Sequence, residues 1–172
     1  MRRPPPLKPD ELEDWAAHGV READAHRWYE TLWDLCGPPS AKSWGLGAGE
    51  SPSRCALSYA LYWLTTFGAS TYDEVEGWLP YFPTPYHGAE LAIEWREAGW
   101  GGTPDRSTEA AGHLQYLGAT PDEAEAWLLA GIDVRRARAF MAAGVTLAEA
   151  QANSWSDEQL EVLADLRRRG VE

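Results

Sequence analysis

No run of about 18 apolar residues occurs in the sequence, so no segment is expected to cross a bilayer as a helix. Positive charge is also scarce: 15 basic residues stand against 27 acidic ones, a formal net charge of −12. Such a chain repels phosphates, which makes its surface as a whole a poor nonspecific binder of nucleic acid or of an anionic membrane. There are only two cysteines, Cys36 and Cys55, each beside an apolar helical stretch. They are expected to be buried thiols in a reducing compartment rather than a disulfide. The opening "MRRPPPLKPDELEDW" has charge but no apolar run after it and does not read as a secretory signal, so a cytoplasmic protein is expected.

The residues that carry chemistry are equally sparse. The four histidines are His18, His26, His87 and His113. Gly19 is expected to end a helix between the first two, and neither cysteine has a Cys or His close by, so no metal site and no cofactor are expected. "GLGAGES" (Gly45 to Ser51) lacks both the Gly-Lys-Ser/Thr ending and the preceding buried strand of a phosphate loop, and reads as solvent loop. No nucleophile elbow, triad or paired acids stand out. Carboxylates gather at helix starts, where the helix dipole accounts for them. The chain is not expected to be an enzyme.

What the sequence does have is aromatic rings with a polar edge. Ten Trp and seven Tyr accompany three Phe, a bias that suits half-buried packing and interfaces. The rings are regularly placed. Three consecutive 13-residue blocks begin on glycine: "GATPDEAEAWLLA", "GIDVRRARAFMAA" and "GVTLAEAQANSWS". Alanine recurs at Ala124/Ala126, Ala137/Ala139 and Ala150/Ala152, while the ring positions Trp127 and Phe140 give way to Asn153 in the third block. "PDELEDWAAHGV" from Pro9 matches "PDEAEAWLLAGI" from Pro121, and "DEVEGWL" from Asp73 is a looser copy. Spacing shared by distant segments points to internal repetition.

The backbone supplies a reason for that spacing. With Gly131 in the left-handed position past a helix end, Trp127 falls three residues before the cap and Ile132 one beyond the glycine. Those two side chains meet in a Schellman stop. Trp15/Gly19/Val20, Trp95/Gly99/Trp100, Phe140/Gly144/Val145 and Leu166/Gly170/Val171 share this grammar. Start signals agree: Thr71–Glu74, Thr120–Glu123, Thr146–Glu149 and Ser156–Gln159 have capping-box form, and Ser51-Pro52 and Thr103-Pro104 also open helices. Helices are therefore predicted near 9–18, 21–35, 52–67, 72–79, 88–98, 104–117, 121–130, 134–143, 147–154 and 157–169, with no strand.

An all-α array or compact bundle of short helices follows, because helices of about ten residues are marginal alone and must stack. "GPPSAKSWGLGAGESPS" (37–53) reads as a long loop, and the proline-aromatic stretch "LPYFPTPYHG" divides an N-terminal lobe, 1–82, from a C-terminal one, 83–172. The function expected from this organisation is a non-catalytic protein-interaction module, an adaptor or inhibitor, that binds another protein through the acidic surface and through Tyr81, Phe82 and Tyr86. The alternative is a DNA-binding helix-turn-helix formed by 121–143, with Arg135, Arg136 and Arg138 on the second helix. A third reading is an acidic nucleic-acid mimic that blocks a basic cleft. Heavy use of Ala, Arg, Gly and Trp suits a bacterial or phage genome of high GC content.

Overall fold

Six of the described helices start where a short polar side chain accepts from an amide three residues on. A computed structural model describes residues 3–36, 51–83 and 87–170. Its helices are α1 (Pro9–Ala17), α2 (Glu22–Cys36), α3 (Pro52–Phe67), α4 (Gly88–Glu97), α5 (Thr108–Tyr116), α6 (Pro121–Leu129), α7 (Val134–Ala143), α8 (Leu147–Ala152) and α9 (Asp157–Arg168). Among the described residues the fold is all-α, and the only extended pairing is an isolated bridge between Thr103 and Arg106. Thr120, Thr146 and Ser156 each complete a reciprocal capping box with Glu123, Glu149 and Gln159, satisfying orphan amides at both positions. Ser51, Ser107 and Asp133 cap α3, α5 and α7 by accepting from Arg54, Ala110 and Arg136. The caps Ser107, Thr120, Asp133 and Thr146 follow one another at 13-residue intervals.

Most described helix ends carry a left-handed glycine, whereas α8 ends at Asn153 in extended backbone. At Gly131 φ is +75°, its amide donates to the Leu128 carbonyl at 2.9 Å, and the Ile132 amide reaches back to Trp127 at 3.1 Å. This pair of bonds is the Schellman stop. The same long bond joins Val20 to Trp15 at 3.1 Å, Trp100 to Trp95 at 3.0 Å and Val145 to Phe140 at 2.9 Å. It also joins Ala119 to Leu114 at 3.1 Å, a stop that the sequence pattern of rings does not mark. The Leu166/Gly170 stop has its glycine at φ +67°, while Val171 lies outside the described residues. Nothing lies within 4 Å of a Cβ built on Gly131, so Gly131→Ala is opposed by backbone strain alone. We expect it to cost roughly 1 kcal/mol in chemical denaturation, from the left-handed penalty of an L-residue.

Two predicted helices are corrected. The 72–79 segment forms only a 3₁₀ turn, Tyr72–Glu74, followed by successive turns to Tyr81. Gly77 and Pro80 explain the loss of a full helix, since one is costly in a helix interior and the other cannot continue the ladder. The 104–117 helix starts late, at Thr108. Here the chain doubles back, with Gly101 N–H donating to the Arg106 carbonyl at 2.5 Å and Arg106 N–H to Thr103 at 3.0 Å. Gly101, at φ +96°, permits that reversal, and Ser107 rather than Thr103 then serves as the cap.

The chain separates into two compact units, Met1–Ile93 and Glu94–Glu172. In the first, α1, α2 and α3 pack on one another, and Trp15 Nε1 donates to the buried Ser53 Oγ at 3.1 Å. A chain of rings forms its core: Tyr72, Trp28, Tyr59, Trp63, Phe67, Trp78 and Phe82, with successive centroids 5.0 to 6.3 Å apart. Edge-to-face and tilted pairs at such distances add to area burial. Arg27 clamps the 3₁₀ turn from outside, lying 4.1 Å over the Tyr72 ring and pairing with Asp73 and Glu76. In the second unit α7 packs most extensively on α9 and also touches α5 and α6. Trp127 and Phe140 stack at 5.6 Å, and Trp95 meets Trp100 edge-on at 4.9 Å.

Candidate functional site

Trp15, Trp127 and Phe140 are all buried, none more than 5% exposed. The rings at the helix stops therefore face the cores of their own units and are not open to a ligand. Phe82 shares that fate. It is 1% exposed and packs on Trp78, so it is a core residue and cannot meet a partner without opening the unit. Tyr81 beside it is half-buried, and Tyr86 lies outside the described residues. A proline-aromatic stretch cannot by itself show which ring turns inward. The local turns through Trp78 to Phe82 decide it.

The three arginines of α7 separate as well. Arg136 is folded against α9: one guanidinium nitrogen pairs with Asp157, another donates to the Trp155 carbonyl at 2.5 Å, and the group lies 5.3 Å from the Phe140 ring centroid. Arg135 and Arg138 are exposed. A cleft of ≈500 Å³ between α7 and α9 takes in Arg135 and Arg136 but also Asp133, Asp157 and Glu161. Those carboxylates would stand close to any phosphate that approached Arg135.

Two titratable groups join neighbouring helices. Tyr62 on α3 donates its hydroxyl hydrogen to Glu90 and accepts from the Ala89 amide at 3.3 Å, tying α3 to the start of α4. Burial, with the bond to Glu90, pushes the phenol up to about 12, and the same bond lowers Glu90. A phenol raised in the folded state favours folding in its neutral form, fully so below its unfolded value near 10 and progressively less as pH rises through about 12. Wild-type stability should thus fall more steeply than that of Tyr62→Phe between pH about 10 and 12. Equal slopes in denaturation series at stepped pH would show the phenol to be ordinary.

Among the described residues no three His, Cys, Asp or Glu side chains gather in a way that could hold a metal ion. His18 Nδ1 bonds the Asp14 carbonyl at 2.8 Å within its own helix, Cys55 is half-buried on α3, and the Cys36 side chain lies outside the described residues. No described helix is long and apolar enough to cross a membrane.

Among the described residues, Tyr116 on α5 and Leu129 on α6 are singly the most exposed large hydrophobic residues, and a paired feature that the sequence did not flag is on α9. Leu160 points into the unit and is 1% exposed, whereas Val162 and Leu166 are 54% and 39% exposed. They lie four residues apart, one turn, and so share a face. Half-buried Trp155 and Leu163 extend this apolar area into a shallow groove of ≈450 Å³ lined also by Glu158 and Gln159. Trp155 is held there by its Nε1, which donates to the Glu149 carbonyl at 3.2 Å, and by its edge against Phe140. The clue was the sequence "LEVLADL", in which apolar residues occur too often for one buried stripe. The chain matches no protein-family model, no curated protein and no solved structure.

Proposed function

We propose that the protein is a non-catalytic interaction module that binds protein through the outward face of α9. The exposure of Val162 and Leu166 on one side of a well-capped helix carries this reading. A helix that needs only one apolar stripe for its own fold has two, and the second loses free energy to water unless something covers it. An apolar patch with a polar rim of Glu158 and Gln159 is how protein-binding surfaces are commonly built. The acidic surface would add selectivity for partners of opposite charge.

Immobilised wild-type chain should retain protein, whether another chain or added copies of its own, that a Val162→Asp, Leu166→Asp variant does not. Identical retained sets, or retention of nucleic acid alone, would overturn the reading. Exposed Arg135 and Arg138 favour the helix-turn-helix as a second reading. It requires duplex binding that falls steeply with salt and is lost when both arginines are replaced by alanine. Against it stand the engagement of Arg136 with Asp157 and the acids that line the same cleft.

A further inference from the structure

We infer that the partner of the α9 face is a second copy of this chain, docked antiparallel along α9. The inference rests on the protein-binding reading above and names the occupant. Glu158, Val162, Leu166 and Arg169 follow at spacings of four, four and three, so they form one stripe along the helix. All four are exposed. The stripe is acidic at its start, aliphatic in the middle and basic at its end, which makes it complementary to itself when turned end for end. Related by a two-fold axis near the middle of α9, Glu158 of each copy faces Arg169 of the other, and Val162 faces Leu166. A parallel arrangement would instead set acid against acid and base against base.

The neighbouring groups are compatible with that geometry. Arg169 pairs with Asp165 in its own helix at 2.5 Å, and Arg168 lies 3.7 Å from the same carboxylate. Both pairs are solvent-exposed and so hold their guanidinium groups only weakly. Arg167 reaches towards its own unit, with a nitrogen 3.5 Å from the Met141 carbonyl, and does not contribute to the stripe. The groove beside Trp155 and Leu163 gives the Leu166 side chain of the other copy a place to seat. Twelve residues make a helix of about 18 Å, so the covered area falls short of the roughly 800 Å² per partner of a standard interface. The dimer is consequently weak and concentration-dependent.

Sedimentation equilibrium of the full chain, from micromolar to near-millimolar concentration and at about 0.15 M salt to screen the repulsion of two acidic bodies, tests this. The weight-average mass should climb from one chain towards two. Val162→Asp, at an exposed position that leaves folding intact by circular dichroism, should hold it at one. Glu158→Arg and Arg169→Glu should each weaken association about tenfold, since each breaks two symmetry-related pairs and creates repulsion. The combined charge reversal should restore it. A monomer at every concentration, a dimer indifferent to Val162→Asp, or a double reversal no better than the singles would overturn the inference. If the chain stays monomeric but still retains another protein in a manner lost in Val162→Asp, self-pairing fails and the protein-binding reading stands. If Val162→Asp changes neither, both fail.

Discussion

Trp63→Ala should destabilise the N-terminal unit by about 3–5 kcal/mol, the range for emptying a large aromatic site in a core. Trp63 has no exposed surface and lies between Tyr59 and Phe67, with centroids 6.3 and 6.0 Å away. Its loss interrupts the ring chain at the middle, so the gap is bounded by rigid rings that cannot collapse into it easily. Domains of this size have only about 5–15 kcal/mol in total, so the unit would sit near its unfolding threshold. Urea titration followed by far-ultraviolet circular dichroism would read this as a large drop in midpoint. A shift of less than about 1 kcal/mol would mean that the ring chain is not the core of that unit.

The second large effect is expected at Gly88, the first residue of α4. A Cβ built there falls well inside contact distance of the Phe82 carbonyl oxygen and 3.2 Å from the Trp63 ring. The nearest atom is backbone, fixed by the turns that bury Phe82, and cannot swing aside as a long side chain would. Alanine's better helix propensity, about 1 kcal/mol, works in the opposite direction and is too small to compensate. Gly88→Ala should therefore cost roughly 3 kcal/mol, the upper part of the overpacking range. Gly144→Ala provides the contrast. Its Cβ would meet the guanidinium end of Arg167, which can move, leaving mainly the left-handed backbone penalty of roughly 1 kcal/mol. Should the two substitutions cost the same, the close approach of α4 to Phe82 is wrong.

Local signals made most of the fold legible. Thr120, Thr146 and Ser156 announced helix starts with their third-residue acid or amide, and Gly19, Gly99, Gly131 and Gly144 announced stops, because these are interactions between near neighbours in sequence. Where the reading failed, a longer-range choice decided. Thr103-Pro104 has the form of a helix start, but the Gly101–Arg106 reversal claims those residues first and moves the cap to Ser107. The candidate surface was less legible for the same reason. Nothing in "YFP" shows that Phe82 enters the ring chain while Tyr81 is only half-buried, because the burial of Phe82 depends on Trp78, Phe67 and the approach of α4. Arg135, Arg136 and Arg138 look equivalent in sequence until Asp157 and the Trp155 carbonyl, some twenty residues on, engage one of them. The exposed stripe on α9 could be identified only after Leu160 showed which face is buried.

The central physical claim is that aromatic, glycine and the residue after it form a hydrogen-bonded helix stop that turns the ring into the core. Amide hydrogen exchange at Val20, Trp100, Ile132 and Val145 tests this most directly, since each of these amides lies beyond its helix and is bonded to the carbonyl of a buried ring residue. The account predicts that these four exchange slowly, with protection close to that of the last helical turns before them. Exchange at the rate of an unstructured peptide at all four positions would contradict it.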